Sequence, residues 1–119
     1  MRRDELRLRD ILEHINSALL AVAGKLRSDF DADPILQKAV QYDLLTIGEA
    51  TSNISEELRT KYSQVPWKAI SGIRTILAHQ YFSIDLDIVW QTATSDLAPL
   101  RAQIEEILNA DFPGGTTSA

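Results

Sequence analysis

A chain of 119 residues, 45% of them hydrophobic and 24% charged, has the length and apolar content of a single globular domain that can bury a core. It contains no cysteine, which excludes disulfides, thiolate metal sites and thiol nucleophiles. Its formal net charge of -5 argues against a general nucleic-acid coat, which relies on clustered Lys and Arg, but leaves room for a small local RNA site.

The opening stretch MRRDELRLRDILEHI mixes both charge signs through its apolar positions, unlike a secretory signal, and nowhere do about 18 apolar residues run together. A soluble protein is expected, with the cytoplasm as its default compartment and no part in a membrane. Leu8, Leu12, Ile15, Leu19, Val22 and Leu26 recur at spacings of three and four, which predicts a long first helix over residues 3–27. Arg2, Arg3, Arg7 and Arg9 are interleaved with Asp4, Glu5 and Asp10 and read as a solvated face. His14 has no partner motif nearby and reads as a surface residue.

In SDFDADP, Asp33 can accept from the first free amides of a new helix and Pro34 suits its first position, where no amide is needed. The stripe Leu36, Val40, Leu44, Ile47, Ala50, Ile54 and Leu58 predicts a second long helix reaching residue 60. Pro66 restarts the chain, and Trp67, Ile70, Ile73 and Leu77 mark a shorter third helix. Ser83 or Asp85 can cap a fourth, carried by Leu86, Val89, Ala93, Leu97, Leu100, Ile104 and Ile107, which Pro99 should bend. Trp67, Tyr81, Phe82 and Trp90 are expected to gather around the third helix.

Period-two alternation is missing and the glycines and prolines fall mainly at junctions. The expected fold is therefore all-α: an antiparallel bundle of three long helices and one short one over residues 1–110, followed by a flexible tail, 111–119.

The chemistry concentrates in RTILAHQYF, where Arg74, His79 and Tyr81 fall within eight positions. Residues five apart are separated by about 140° around a helix, so Arg74 and His79 converge only through the long arginine arm, a helix ending near His79, or a second subunit. Position 75, on the same face as His79, is Thr75. Glu49 can orient Arg74 through an ion pair or face solvent. On residue types alone, a histidine at a helix end serves as a cap or a hydrogen-bonded core group more often than as a catalyst, and a tyrosine beside a phenylalanine more often packs.

Residues 47–90, IGEATSNISEELRTKYSQVPWKAISGIRTILAHQYFSIDLDIVW, resemble the HepT-like toxins of the HEPN superfamily, the partner half of minimal-nucleotidyltransferase toxin–antitoxin pairs. The specific part is Arg, four residues, His, one residue, Tyr, met by Arg74, His79 and Tyr81. Gly48-Glu49-Ala50 and Pro66-Trp67 upstream, with Ile84-Asp85 and Trp90 downstream, support it. The flanking helices fit in length and order. One position departs: such toxins usually carry a polar residue, most often asparagine, after the arginine, and here it is Thr75, whose hydroxyl hydrogen-bonds without an amide's two-ended geometry.

The resemblance implies a HEPN-type bundle acting as a metal-independent endoribonuclease, without a cofactor, in which a homodimer brings two Arg and His motifs into one cleft. His79 would act as base in one copy and acid in the other, because histidine titrates near neutrality. Arg74 would stabilise the phosphate through its planar fork, with Thr75 and Glu49 in support. Tyr81 would be the residue on which a nucleotidyltransferase antitoxin places AMP, in a complex of dimeric or larger hetero-oligomeric form. The departure at Thr75 keeps a second class open, a non-catalytic HEPN dimer serving as the binding subunit of such a partner.

Overall fold

The structure, a computed structural model, describes residues 2–79 and 85–115, with the side chains of Arg2, Ala78 and His79 outside that description. Among the described residues every regular element is helical. The first helix, α1 (Arg2–Val22), buries Leu8, Ile11, Ile15, Ala18 and Val22 on one stripe. Each such large aliphatic side chain contributes about 1.5–3 kcal/mol relative to an exposed one.

This helix ends five residues before the expected position, because Gly24 adopts φ 72°, a left-handed conformation that terminates a helix and that glycine enters without a Cβ penalty. The chain re-forms a turn at α2 (Arg27–Asp31), which seats Phe30 fully in the core.

Asp33 caps α3 (Pro34–Ser52) as the sequence suggests, accepting from the amide of Leu36 at 3.0 Å. The second helix does not run unbroken to residue 60. It stops at Asn53, and α4 (Glu56–Lys61) begins from its own cap, Ser55, whose hydroxyl accepts from the Leu58 amide at 3.2 Å. Buried Asp4 fixes that break, taking the Ser55 amide at 2.9 Å and its hydroxyl at 2.6 Å. A local cap beats continuation here because a residue 51 positions away satisfies it.

The short helix α5 (Trp67–His79) follows, with the Trp67 indole donating to the Tyr62 carbonyl at 3.0 Å. Asp85 caps α6 (Leu86–Gln91), accepting from the amides of Asp87 and Ile88, while Ser83, the alternative cap, lies outside the described residues. The sequence expects Pro99 to bend the fourth helix; what the structure shows is a π-helical stretch, Thr92–Asp96, just ahead of that proline, leading into α7 (Leu97–Asp111). The Leu97 amide reaches back to the Thr92 carbonyl, five residues away, so the wider turn comes just before a proline that cannot donate.

In space α3 is the centre of a layer, with α1 on one flank and α5 on the other, while α7 closes over α1. Three sequence expectations are corrected. Trp90 stacks against Phe30 of α2, ring centres 5.2 Å apart, instead of joining Trp67 at α5, and Tyr81 and Phe82 lie outside the described residues. His14 is largely buried and meets Asp43 of α3 at 2.8 Å, with its ring edge-on to Tyr42. Arg7 is not simply solvated: its Nε is buried and has no partner among the described residues.

Candidate functional site

Gly48 sits on the face of α3 that meets α5, opposite Arg74. A Cβ added to Gly48 would stand 2.9 Å from the Arg74 Cβ and 3.0 Å from its amide nitrogen. The two helices therefore approach most closely at the arginine, and only a residue without a side chain allows it.

One residue along, Glu49 points outward and receives the Arg74 guanidinium, Nη1 to Oε1 at 2.8 Å. Of the two readings open for Glu49, the ion pair is the one the structure shows. The arginine is 42% exposed and the glutamate 59%, so solvent screens the pair and it contributes little to stability. Its effect is orientation: one arm of the guanidinium fork is tied to Glu49, while no hydrogen bond ties its other donors among the described residues. The Arg74 hydrogen bond, reinforced by its charge, holds the Glu49 carboxyl below the usual glutamate range.

Thr75 is exposed beside this pair. The helix ends at His79, whose backbone closes α5 and whose side chain lies outside the described residues. Tyr81 lies wholly outside them. The structure thus brings Glu49 to Arg74 and puts Thr75 on open surface next to them.

Sequence periodicity missed the outer stripe of α3. Tyr42, Leu45 and Glu49 share one face at spacings of three and four, and the first two are 64% and 37% exposed. Ile35, 80% exposed, lies on the same face two turns earlier. The signal was available: these apolar residues fall off the buried stripe and stay exposed among the described residues, Tyr42 with only its ring edge against His14. The apolar surface runs up to Glu49 and hence to Arg74.

The better-enclosed cleft, about 430 Å³, lies elsewhere. It separates Ala69, Ile70 and Ile73 of α5 from Leu97 and Leu100 of α7, and none of Glu49, Arg74 or Thr75 lines it. The polar site is open surface, a shape suited to a large substrate or to completion by another chain. Among the described residues no three His, Asp or Glu side chains are grouped to hold a cation, and no helix is long and apolar enough to cross a membrane.

Comparison with known proteins agrees with this architecture. The family model described as Ribonuclease HepT-like matches residues 8–107. A protein of Caldanaerobacter subterraneus subsp. tengcongensis named "Putative RNase TTE0752" is 38% identical over 87% of this chain and 93% of its own length. A protein of Thermococcus cleftensis named "Probable ribonuclease HepT" is 31% identical over 83% of this chain and 94% of its own. No solved structure matches. With an all-helical bundle and a family match from the first buried leucine of α1 to the penultimate turn of α7, this chain belongs to the HepT-like ribonuclease family.

Proposed function

We propose that the chain is the toxin of a type II toxin–antitoxin pair, a metal-independent endoribonuclease that works in the cytoplasm as a homodimer. In this reading the motif formed by Arg74 and His79 is assembled from both copies into one cleft, and a nucleotidyltransferase antitoxin silences it by adding AMP to Tyr81. The observation that carries the reading is an arginine tied to Glu49 on an open face, on the helix that His79 ends.

The chemistry follows from the residue types. Neutral His79 of one copy takes the proton from a ribose 2′-hydroxyl, and the freed oxygen attacks the adjacent phosphorus. Protonated His79 of the other copy gives its proton to the departing 5′-oxygen, so the products are a 2′,3′-cyclic phosphate and a 5′-hydroxyl. Arg74 meets the charge that grows on the non-bridging oxygens. Thr75, beside it, can hydrogen-bond the same phosphate.

A dimer formed across the outer face of α3 would cover Tyr42 and Leu45 and bring two copies of Glu49 and Arg74 toward one axis, which supports a site shared between chains. AMP on Tyr81 would add an anionic phosphate near the motif, repelling RNA and competing for Arg74.

The test is RNA cleavage by the purified, unmodified chain in excess EDTA. Cleavage leaving cyclic phosphate ends, lost by about 10²- to 10⁴-fold in Arg74→Ala and His79→Ala, supports the enzyme. No cleavage by the unmodified chain, with a partner nucleotidyltransferase still bound, assigns it instead to a non-catalytic binding subunit, the alternative that Thr75 keeps open. Peptide masses after co-expression with that partner decide the modification, which Tyr81→Phe should abolish.

A further inference from the structure

A second polar feature adjoins the arginine site. Between α4 and the start of α5 runs an open groove lined by Arg59, Thr60, Ser63, Lys68 and Ser71, two cations and three hydroxyls with no carboxylate among its lining residues. In a chain of net charge -5 that local excess stands out. Neither Arg59 nor Lys68 joins an ion pair among the described residues, so both charges are open to an anion. Glu56 and Glu57, on the first turn of α4, are the nearby acids in sequence and do not line the groove.

The groove and the arginine site share α5, which lines the groove with Lys68 and Ser71 and carries Arg74 one turn after Ser71. Lys68, Ser71 and Arg74 are spaced by three along α5, so each steps about 60° around the helix from the last and the three climb together over roughly 9 Å from the groove toward the arginine. Ser71 is anchored by donating to the Lys68 carbonyl at 3.2 Å. The amides of Lys68 and Ala69, two of the residues lining the groove, lie in the first turn of α5 and find no backbone acceptor among the described residues. Arginine, lysine, small hydroxyls and free backbone amides are the groups that bind nucleic-acid phosphates without reading bases. Trp67, though it lines the groove, is 6% exposed and offers no stacking platform.

We propose that the groove of Arg59, Lys68, Thr60, Ser63 and Ser71 is the RNA-backbone track of this protein, leading the strand flanking the scissile phosphate to Arg74. The inference rests on the ribonuclease reading and extends it: binding of the flanking RNA is sequence-independent and electrostatic, and α4 is a substrate-binding element.

The test uses the full chain and a fluorescent RNA oligonucleotide whose 2′-hydroxyls are methylated, so that the attacking group is blocked and binding is read without turnover. Anisotropy is followed over a potassium chloride series for the wild type, Arg59→Gln/Lys68→Gln, and Arg101→Gln. Arg101 lies on α7 outside the groove and serves as the charge-matched control. The double variant should bind at least about tenfold more weakly at low salt, with a salt slope shallower by about 0.7 for each lost contact, while Arg101→Gln should follow the wild type. Wild-type affinity and slope in the double variant, with RNA still bound and cleaved by the wild type, would overturn the track and leave the ribonuclease reading standing. A wild type that neither binds nor cleaves RNA would remove both.

Discussion

Gly48 of α3 and Arg74 of α5 approach so closely that a methyl group on Gly48 would stand 2.9 Å from the arginine Cβ and 3.0 Å from its amide nitrogen. The position of the arginine is therefore set by a helix crossing, and the ion pair to Glu49 only refines the direction of its side chain.

Gly48→Ala tests this. Alanine gains up to about 1 kcal/mol in helix propensity, but forcing apart a packed crossing costs about 1–3 kcal/mol. The net expectation is a destabilisation of about 0.5–2 kcal/mol in denaturant unfolding, with a larger fall in RNA cleavage because Arg74 shifts with its helix. A more stable protein with wild-type cleavage would contradict the close approach.

The Glu49–Arg74 pair has its own signature in acid. A carboxyl held below its usual range by an arginine stays ionised as pH falls and releases the arginine only when it protonates. The pair is thus present above the ordinary glutamate range and lost as pH drops through the lowered folded value. Carbon NMR titration of the Glu49 carboxyl should give a midpoint lower in the wild type than in Arg74→Ala. Equal midpoints would mean the two side chains do not meet in solution.

Asp111 ties the end of α7 to α4, accepting from Lys61 at 3.0 Å and from the Tyr62 hydroxyl at 2.8 Å. Lys61 first, then Tyr62, lower its pKa, so its contribution to stability is present above the ordinary aspartate range and lost as pH falls through the depressed value. Burial first, then Asp111, raises the Tyr62 pKa, so the tyrosine's contribution is present below its ordinary value of 10.0 and lost as pH rises through the raised one. Asp111→Asn should lower the thermal midpoint at neutral pH and flatten its decline in acid. An unchanged profile of midpoint against pH would refute the anchor.

His14 and Asp43 predict a coupled pair. Asp43 is 4% exposed, and His14 is the side chain that hydrogen-bonds it among the described residues. His14→Ala would strand a buried carboxylate at a cost of about 1–3 kcal/mol. Removing Asp43 as well should recover part of that loss, which a double-mutant cycle in urea measures. Strict additivity would mean the contact carries no energy.

These long-range contacts mark where sequence reading stopped. Apolar spacing located the core faces of the main helices because burial imposes a 3.6-residue period: Leu8, Ile15, Val40, Leu44, Leu97 and Ile104 were all found that way and all are buried. The Asp33 and Asp85 caps were legible because each acts within three residues. The breaks at Gly24 and Asn53 were not, since a stripe can continue in register across a turn, and what decides the second break is Asp4, 51 residues from Ser55. His14–Asp43 and Phe30–Trp90 were invisible for the same reason. At the site, motif spacing singled out Arg74, His79 and Tyr81, while the choice of Glu49 as partner needed the crossing at Gly48.

The central claim is that one cleft draws on two chains. Its most direct test is RNA cleavage by re-equilibrated mixtures of wild-type chain and His79→Ala at constant total concentration. If the two copies supply base and acid, only wild-type pairs cut, and activity falls as the square of the wild-type fraction. A linear fall would show that each chain cleaves RNA alone and would contradict the shared site.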